Sequence, residues 1–393
     1  MYNKAAYALG ANRSTIRDLF EYGRARAAIV GPENVYDYSL GNPSIPAPKE
    51  VNDAIRQILS ELDSLAVHGY STAVGNMDAR KAIVRDLNSR YGTDIRPEEL
   101  FIGCGAAGEL CAVFRALAVP GAEILAIAPF FPEYRPFAES AGCTLKVVPP
   151  DVPGFQIQLE AVEAALTENT VAVIINSPNN PSGAVNTRQT LEALGQLLTR
   201  KAEQFGHPIY IVSDDPYREL VYDGVTAPFI PTIYANTIVC YSYSKSFSLP
   251  GERIGYFCVP DCVEDGNRIR FAAAGAARVM GHVCAPSLQQ KVVGMCATVK
   301  PDLNAYDLNR KTLYNALTAY GYQCVFPDGA FYLFVKAPFG TSKEFSDLAK
   351  QKNLLIVPGD DFGCPEYFRL STCVSHEMIR KSLPIFEELI KQK

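Results

Sequence analysis

Six short apolar runs, EILAIA, LKVVP, VAVIIN, IYIVS, TIVCYS and IGYFCV, recur along the sequence up to about residue 275. Longer stretches with helical spacing, such as TRQTLEALGQLLTRKAEQFG, separate them. This alternation predicts an α/β fold, a mostly parallel sheet between layers of helices. An amphipathic helix is expected ahead of it over about Ser14 to Ile29, with Ser14 as its N-cap and Gly31 just past its end. SLGNPSIPAP then marks a crossing, because its glycine and prolines forbid a regular element. The last hundred residues change pattern. A helix is expected near Asn304 to Tyr320, then strands in GAFYLFV, NLLIVP and YFRLSTC, then a closing helix from about His376 to Lys391. That part reads as a smaller α+β unit packed on the first.

In open α/β sheets, ligands gather beyond the carboxyl ends of the strands, so the segments that follow the apolar runs carry the chemistry. VAVIIN leads into SPNNPSG, a turn by composition that also supplies the amide of Asn180. IYIVS leads into DDPYREL, which puts Asp214 and Asp215 where a buried strand leaves the sheet. A buried anion there calls for a cation, and a ligand can supply one. TIVCYS leads into YSKSFSLPGERIG, with Ser242, Ser244, Lys245 and Arg253. FIGCGAAGEL sets Gly103, Gly105 and Gly108 at the start of a helical pattern beginning near Ala107. Bare backbone N–H groups at a helix N-terminus form a natural cradle for phosphate. Each segment alone reads equally well as a turn or a cap. Together, along one sheet edge, they offer an anion cradle, hydroxyls, an arginine, a lysine, an acid and an amide.

Bulk properties narrow the partners. Net charge is −5 with 37 basic and 42 acidic residues well mixed, so no basic stripe suggests nucleic acid or an anionic membrane. The N-terminus lacks a secretory pattern and no apolar run is long enough to span a bilayer, which points to a cytoplasmic protein. Eleven scattered cysteines without a paired CxxC fit neither a zinc site nor a disulfide scaffold, and are expected as buried reduced thiols.

The set SxSKxxxxxGxRxG, NPSG and DxxY, in this order and spacing, resembles the class I/II aminotransferases of the fold-type I pyridoxal-phosphate enzymes, and the likeness runs from SLGNP to FRLST. The resemblance implies a mostly parallel seven-stranded sheet between helices, plus a smaller α+β domain built from both chain ends. Residues 1–45 and 281–393 are expected in the smaller domain and 46–280 in the larger. The implied cofactor is pyridoxal 5′-phosphate. Lys245 matches the lysine that forms its Schiff base and moves the substrate proton, Asp214 the acid facing the ring nitrogen, and Asn180 and Tyr217 the pair that bonds ring O3′. Arg253, Ser242, Ser244 and the backbone of Gly105, Ala106 and Ala107 match the phosphate site, although alanine stands where relatives often keep Ser, Thr or Lys. Phe131 matches the ring that stacks on the cofactor. Tyr70 matches a tyrosine that reaches the partner's phosphate across a homodimer. Arg369, with the Gly41 backbone, matches the grip on the substrate α-carboxylate, and Asp215 is expected to be structural.

The implied reaction is a ping-pong transfer of an amino group from an L-amino acid to a 2-oxo acid such as 2-oxoglutarate. Aspartate, aromatic and other neutral amino acids all stay open as donors. A C–S lyase or other β-eliminating enzyme of this fold needs the same lysine, acid and phosphate site. A cofactor-sensing regulator is disfavoured, because only about forty residues precede the fold. Arg268, Arg270 and Arg278 are candidates for a second carboxylate site or plain surface charges, and Tyr38, Phe331 and Tyr332 for an aromatic-tolerant pocket or packing.

Overall fold

The computed structural model describes residues 1–11 and 14–392. Seven strands form the large sheet, in the spatial order Leu100–Gly103, Gly255–Cys258, Thr237–Ser242, Tyr210–Asp214, Thr170–Asn176, Glu123–Ile127 and Thr144–Val148. The last five are mutually parallel. Gly255–Cys258 runs antiparallel to both neighbours. The connection from the preceding strand, residues 243 to 254, holds only the one-turn helix Tyr243–Ser246 and a short turn at Pro250–Glu252, with no helix crossing the sheet face as a parallel return requires.

The strands are apolar on both faces because both are covered. In the Thr170–Asn176 strand, Ala172 and Ile174 enter one core with Phe114, Ile124 and Val212, while Val173 and Ile175 enter the opposite one with Leu191, Leu194 and Leu198. That is the two-residue alternation of a sheet used twice, and each such side chain removed from water contributes about 1.5–3 kcal/mol. The helices Ala106–Leu117 and Gly266–Val279 cover the first face, and Arg188–Phe205 lies on the second. Thr187 caps the last of these by accepting from the Thr190 N–H.

A four-stranded antiparallel sheet, ordered Val357–Pro358, Tyr367–Ser371, Tyr332–Lys336 and Gln323–Cys324, forms the centre of the smaller unit. Helices Asn304–Tyr320 and His376–Ile390 pack on it. Tyr36–Asp37 pairs with Leu354–Leu355, and Tyr38 is buried among Leu313, Leu333 and Phe386, so an N-terminal segment joins this core. Helix Ser287–Met295 packs instead on Lys49–Glu61 and Met77–Tyr91, placing Val292 and Val293 in a core with Ile83 and Tyr241. The packing of the larger unit therefore runs past position 280.

The helix expected ahead of the sheet spans Thr15–Val30, with Ser14 at its cap position and Gly31 after its end, and a shorter helix, Lys4–Ala11, precedes it. The Ser14 side chain makes no capping hydrogen bond, while Thr15 Oγ1 donates to Asp361 Oδ2 at 2.7 Å. Packing against the smaller unit, rather than a side-chain cap, positions this end. Six of the eleven cysteines are buried, Cys240 in the sheet core among them. Among the described residues no helix is long and apolar enough to cross a membrane.

Candidate active site

Strand register gathers the chemistry. Asn176 lies opposite Asp214, Asp214 opposite Cys240, and Gly255 opposite both Ser242 and Gly103. All of these lie along the edge where the parallel strands end. A cavity of about 300 Å³ opens there, lined by Gly41, Ala106, Ala107, Phe131, Asn180, Asp214, Tyr217, Ser242, Ser244, Lys245, Arg253 and Arg369 from the sequence-derived set. Tyr70 is not among its lining residues and is 98% exposed on this chain's surface.

The phosphate-like corner is built from backbone. Helix Ala106–Leu117 begins at Gly105, whose φ of +87° is a conformation that side chains resist. A Cβ there would lie 3.4 Å from both Arg253 Nη2 and Ser242 Oγ. Three segments distant in sequence thus converge on one small space at a helix N-terminus, a suitable site for a dianion. Ser242 caps the short helix Tyr243–Ser246, and its Oγ lies 2.8 Å from Ser244 Oγ. This turn projects Lys245 into the cavity, where Nζ donates to the Gly41 carbonyl at 2.6 Å. Burial lowers the Lys245 amine to about 8; the thiol of Cys373 opposes that shift, and Arg369 and Arg253 add to it.

Asp214 closes the strand Tyr210–Asp214 and lines the same cavity. Its carboxyl is pushed up to about 7 by burial; the Tyr134 hydroxyl, donating to Oδ2 at 2.5 Å, works against that, and the charge of Asp215 works with it. Oδ1 is buried with no hydrogen-bond partner among the described residues. A buried carboxylate oxygen left unpaired is costly, and a protonated ring nitrogen would satisfy it. Asp215 is engaged elsewhere, accepting from Ser213 Oγ and from Arg218 at 3.3 Å.

Arg369, 2% exposed, donates from Nη1 to Asn180 Oδ1 at 2.9 Å and from Nη2 to the Ser39 carbonyl at 2.5 Å. Its Nε is buried without a partner among the described residues, and burial lowers its pKa. Asp214, Lys245 and Arg369 all line the cavity, and the acid and the arginine each keep one buried polar atom without a partner among the described residues.

Side chains that sequence patterning passed over complete the site. Asn176 Nδ2 donates to the Asp214 carbonyl and Oδ1 accepts from the Asn180 N–H, both at 2.8 Å. The one available signal was a polar residue closing the apolar run VAVIIN. Tyr134, three residues past Phe131, packs edge-on against that ring with centroids 5.7 Å apart. Ile16, Leu110, Pro216 and Pro250 add apolar wall. Of the aromatic candidates, Tyr332 lines the cavity, the Phe331 ring lies 5.5 Å from Lys245 Nζ, and Tyr38 bonds Ser382 in the smaller core. Arg268 pairs with Asp265, Arg270 with Asp261, and Arg278 is exposed; none of the three lines the cavity.

A glycine cradle for phosphate, an aromatic wall at Phe131 and an unpaired acid suit a phosphorylated, protonated ring, so the residues present fit pyridoxal phosphate. A family model for aminotransferase class I and II matches residues 33–384. An aspartate aminotransferase of Thermotoga maritima is 30% identical over 382 residues, covering 94% of this chain and 95% of that protein. An aromatic-amino-acid aminotransferase of Thermococcus litoralis is 28% identical, covering 97% of each. Among solved structures, an amino transferase from Eubacterium rectale matches with a TM-score of 0.98 at 51% identity, covering 100% of this chain and 99% of that one. The Thermus thermophilus aspartate aminotransferase with maleate matches at 0.86 and 26% identity, covering 99% of both chains. Enzymes of this kind use pyridoxal phosphate. With the family model matching most of its length, the chain belongs to the class I and II aminotransferases.

Proposed function

We propose that this aminotransferase moves the amino group of an L-amino acid, aspartate, aromatic or another neutral one, to a 2-oxo acid such as 2-oxoglutarate in two half-reactions at one site. The observation that carries the reading is that Asp214, Lys245 and Arg369 line one cavity, with Asp214 Oδ1 and Arg369 Nε buried and unpaired among the described residues. When bound, pyridoxal phosphate supplies the electron-poor ring that accepts charge released at an amino acid's α-carbon.

The chain's own residues do the rest. Asp214 would hold the proton of the ring nitrogen, and Asn180 and Tyr217 would donate to the ring hydroxyl oxygen. Ser242, Ser244, Arg253, Tyr70 of the partner subunit and the N–H groups of Gly105, Ala106 and Ala107 would hold the phosphate, and Phe131 would stack on the ring. Arg369 and the Gly41 N–H bind the α-carboxylate and orient the α-hydrogen toward Lys245. Lys245 Nζ, partly neutral near pH 8, would take that proton and return it at the carbon on the far side of the amino nitrogen. Arg369 comes from the smaller unit and Asn180 from the larger, so carboxylate binding draws the two together and excludes water. The names of the relatives, aspartate and aromatic-amino-acid aminotransferases, support the donor range.

The test mixes holoenzyme with single amino acids, follows the cofactor spectrum, and assays oxo acid and ammonia. Stoichiometric conversion of the cofactor to its amine form, with oxo acid released, is expected. Sustained ammonia without that conversion would overturn the reading in favour of a β-eliminating lyase.

A further inference from the structure

Tyr332 opens the strand Tyr332–Lys336 of the smaller unit and is 2% exposed. It touches three parts of the site at once. Its ring lies beneath the Arg369 guanidinium, with Cζ 4.6 Å from the centroid. Its hydroxyl stands 3.1 Å from the Tyr217 hydroxyl, across the cleft between the units. The same hydroxyl occupies the space beside Gly41, where any Cβ would overlap it, and the Gly41 carbonyl is the acceptor for Lys245 Nζ.

Resting on the reading above, we propose that Tyr332 is a positioning residue that ties carboxylate binding to the cofactor's electronic state: its ring holds Arg369 in place, and its hydroxyl donates to Tyr217. The direction of the second bond follows from proton supply. Tyr217 has one hydroxyl proton. If Tyr217 gave it to Tyr332, none would remain for ring O3′; with Tyr332 as donor, the Tyr217 proton points into the cavity. A hydroxyl that itself accepts a hydrogen bond is the stronger donor, the more so in a buried site. Simple packing would not need the oxygen, because a phenylalanine already fills the neighbouring position at Phe331 and would fill this one.

Four holoenzyme variants separate the two roles: Tyr332→Phe, Tyr332→Leu, Tyr217→Phe, and Tyr217→Phe combined with Tyr332→Phe. The readouts are the pH midpoint of the bound cofactor's visible absorbance without substrate, kcat and KM separately, and the melting temperature. Tyr332→Phe keeps the ring and removes the donor, so the midpoint should rise by about half a pH unit with KM within about twofold of wild type. Tyr332→Leu also removes the aromatic face, so KM should rise by about two- to fivefold. In the Tyr217→Phe background, Tyr332→Phe should add no further shift, since its effect passes through the missing hydroxyl. An unchanged midpoint in Tyr332→Phe, or shifts that simply add in the double variant, would overturn the proposal. If Tyr332→Leu does not fold, the Phe variants decide alone. Lys245→Ala serves as a separate control: visible absorbance that persists there would refute the assignment of the lysine, whatever Tyr332 does.

Discussion

Lys245 and Asp214 bear opposite formal charges, yet burial pushes both toward neutrality, lowering the amine to about 8 and raising the carboxyl to about 7. For the lysine the sign is definite. Below pH 8 the amine is mostly protonated and unreactive; above it the free base dominates, where an exposed lysine would wait until about 10.5. The rate at which cofactor-free protein captures pyridoxal phosphate should therefore climb with pH up to about 8 and then flatten, followed by growth of visible absorbance. A rise that continues to pH 10 would contradict the effect of burial. For Asp214 the unpaired Oδ1 is the point. Asp214→Ala should retain part of the cofactor but lose about a hundredfold or more in turnover, since a charge placed where charge develops is usually among the largest catalytic contributions. Normal turnover in that variant would mean that another acid serves the ring.

At the scale of elements, the site depends on how strands hand over to helices. The helix Ala106–Leu117 starts at a glycine, so no side chain caps the N–H groups at its start and room is left between Arg253 and Ser242. Gly105→Ala would add both backbone strain, about 1–3 kcal/mol, and a methyl group in that space. Cofactor affinity should fall by about 5- to 30-fold, as read by titration of the cofactor-free variant. The melting temperature of the cofactor-free form reports the strain separately. On the lysine side the handover is tighter still, since the helix Tyr243–Ser246 is a single turn capped by Ser242. Ser242 thus serves both as cap and as a wall of the anion corner, which is why a serine, rather than any strand residue, suits the end of TIVCYS.

For the whole molecule, the cleft is bridged from both sides. Lys245 of the larger unit reaches Gly41, and Arg369 of the smaller reaches Asn180. Away from the cavity, Arg310 Nη1 donates to the Pro327 carbonyl at 2.6 Å and Nη2 to Asp223 at 2.5 Å, tying helix Asn304–Tyr320 to the loop beyond Tyr222. Tyr70 lies outside the cavity of its own chain, with Ser71 beside it bonded to Gln290 and Cys284. If it serves a partner's phosphate, complementation follows. Lys245→Ala and Tyr70→Phe chains, each weak alone, should on mixing and reassembly regain about a quarter of wild-type sites, because half the dimers are mixed and each carries one intact site. No recovery, with mixed dimers demonstrated, would place Tyr70 outside the phosphate site.

The sequence by itself determined what is local. Ser242, Lys245 and Arg253 lie on one continuous segment whose spacing nearly dictates their convergence, and the alternation of apolar runs dictated a covered, mostly parallel sheet. Asn180, Asp214 and Tyr217 were legible for the same reason, since each lies at the end of a buried strand or within four residues of it. Contacts between distant segments were not legible. Tyr134 meets Asp214 across 80 positions and Tyr217 meets Tyr332 across 115, and no spacing rule links such pairs. Ser14 looked like a cap, yet packing placed its helix. Only the tertiary structure decided how deeply Lys245, Asp214 and Arg369 are buried and which of their atoms lack a partner. Ionisation and hydrogen-bond satisfaction depend on every element packed around a group, whereas a motif records only its neighbours along the chain.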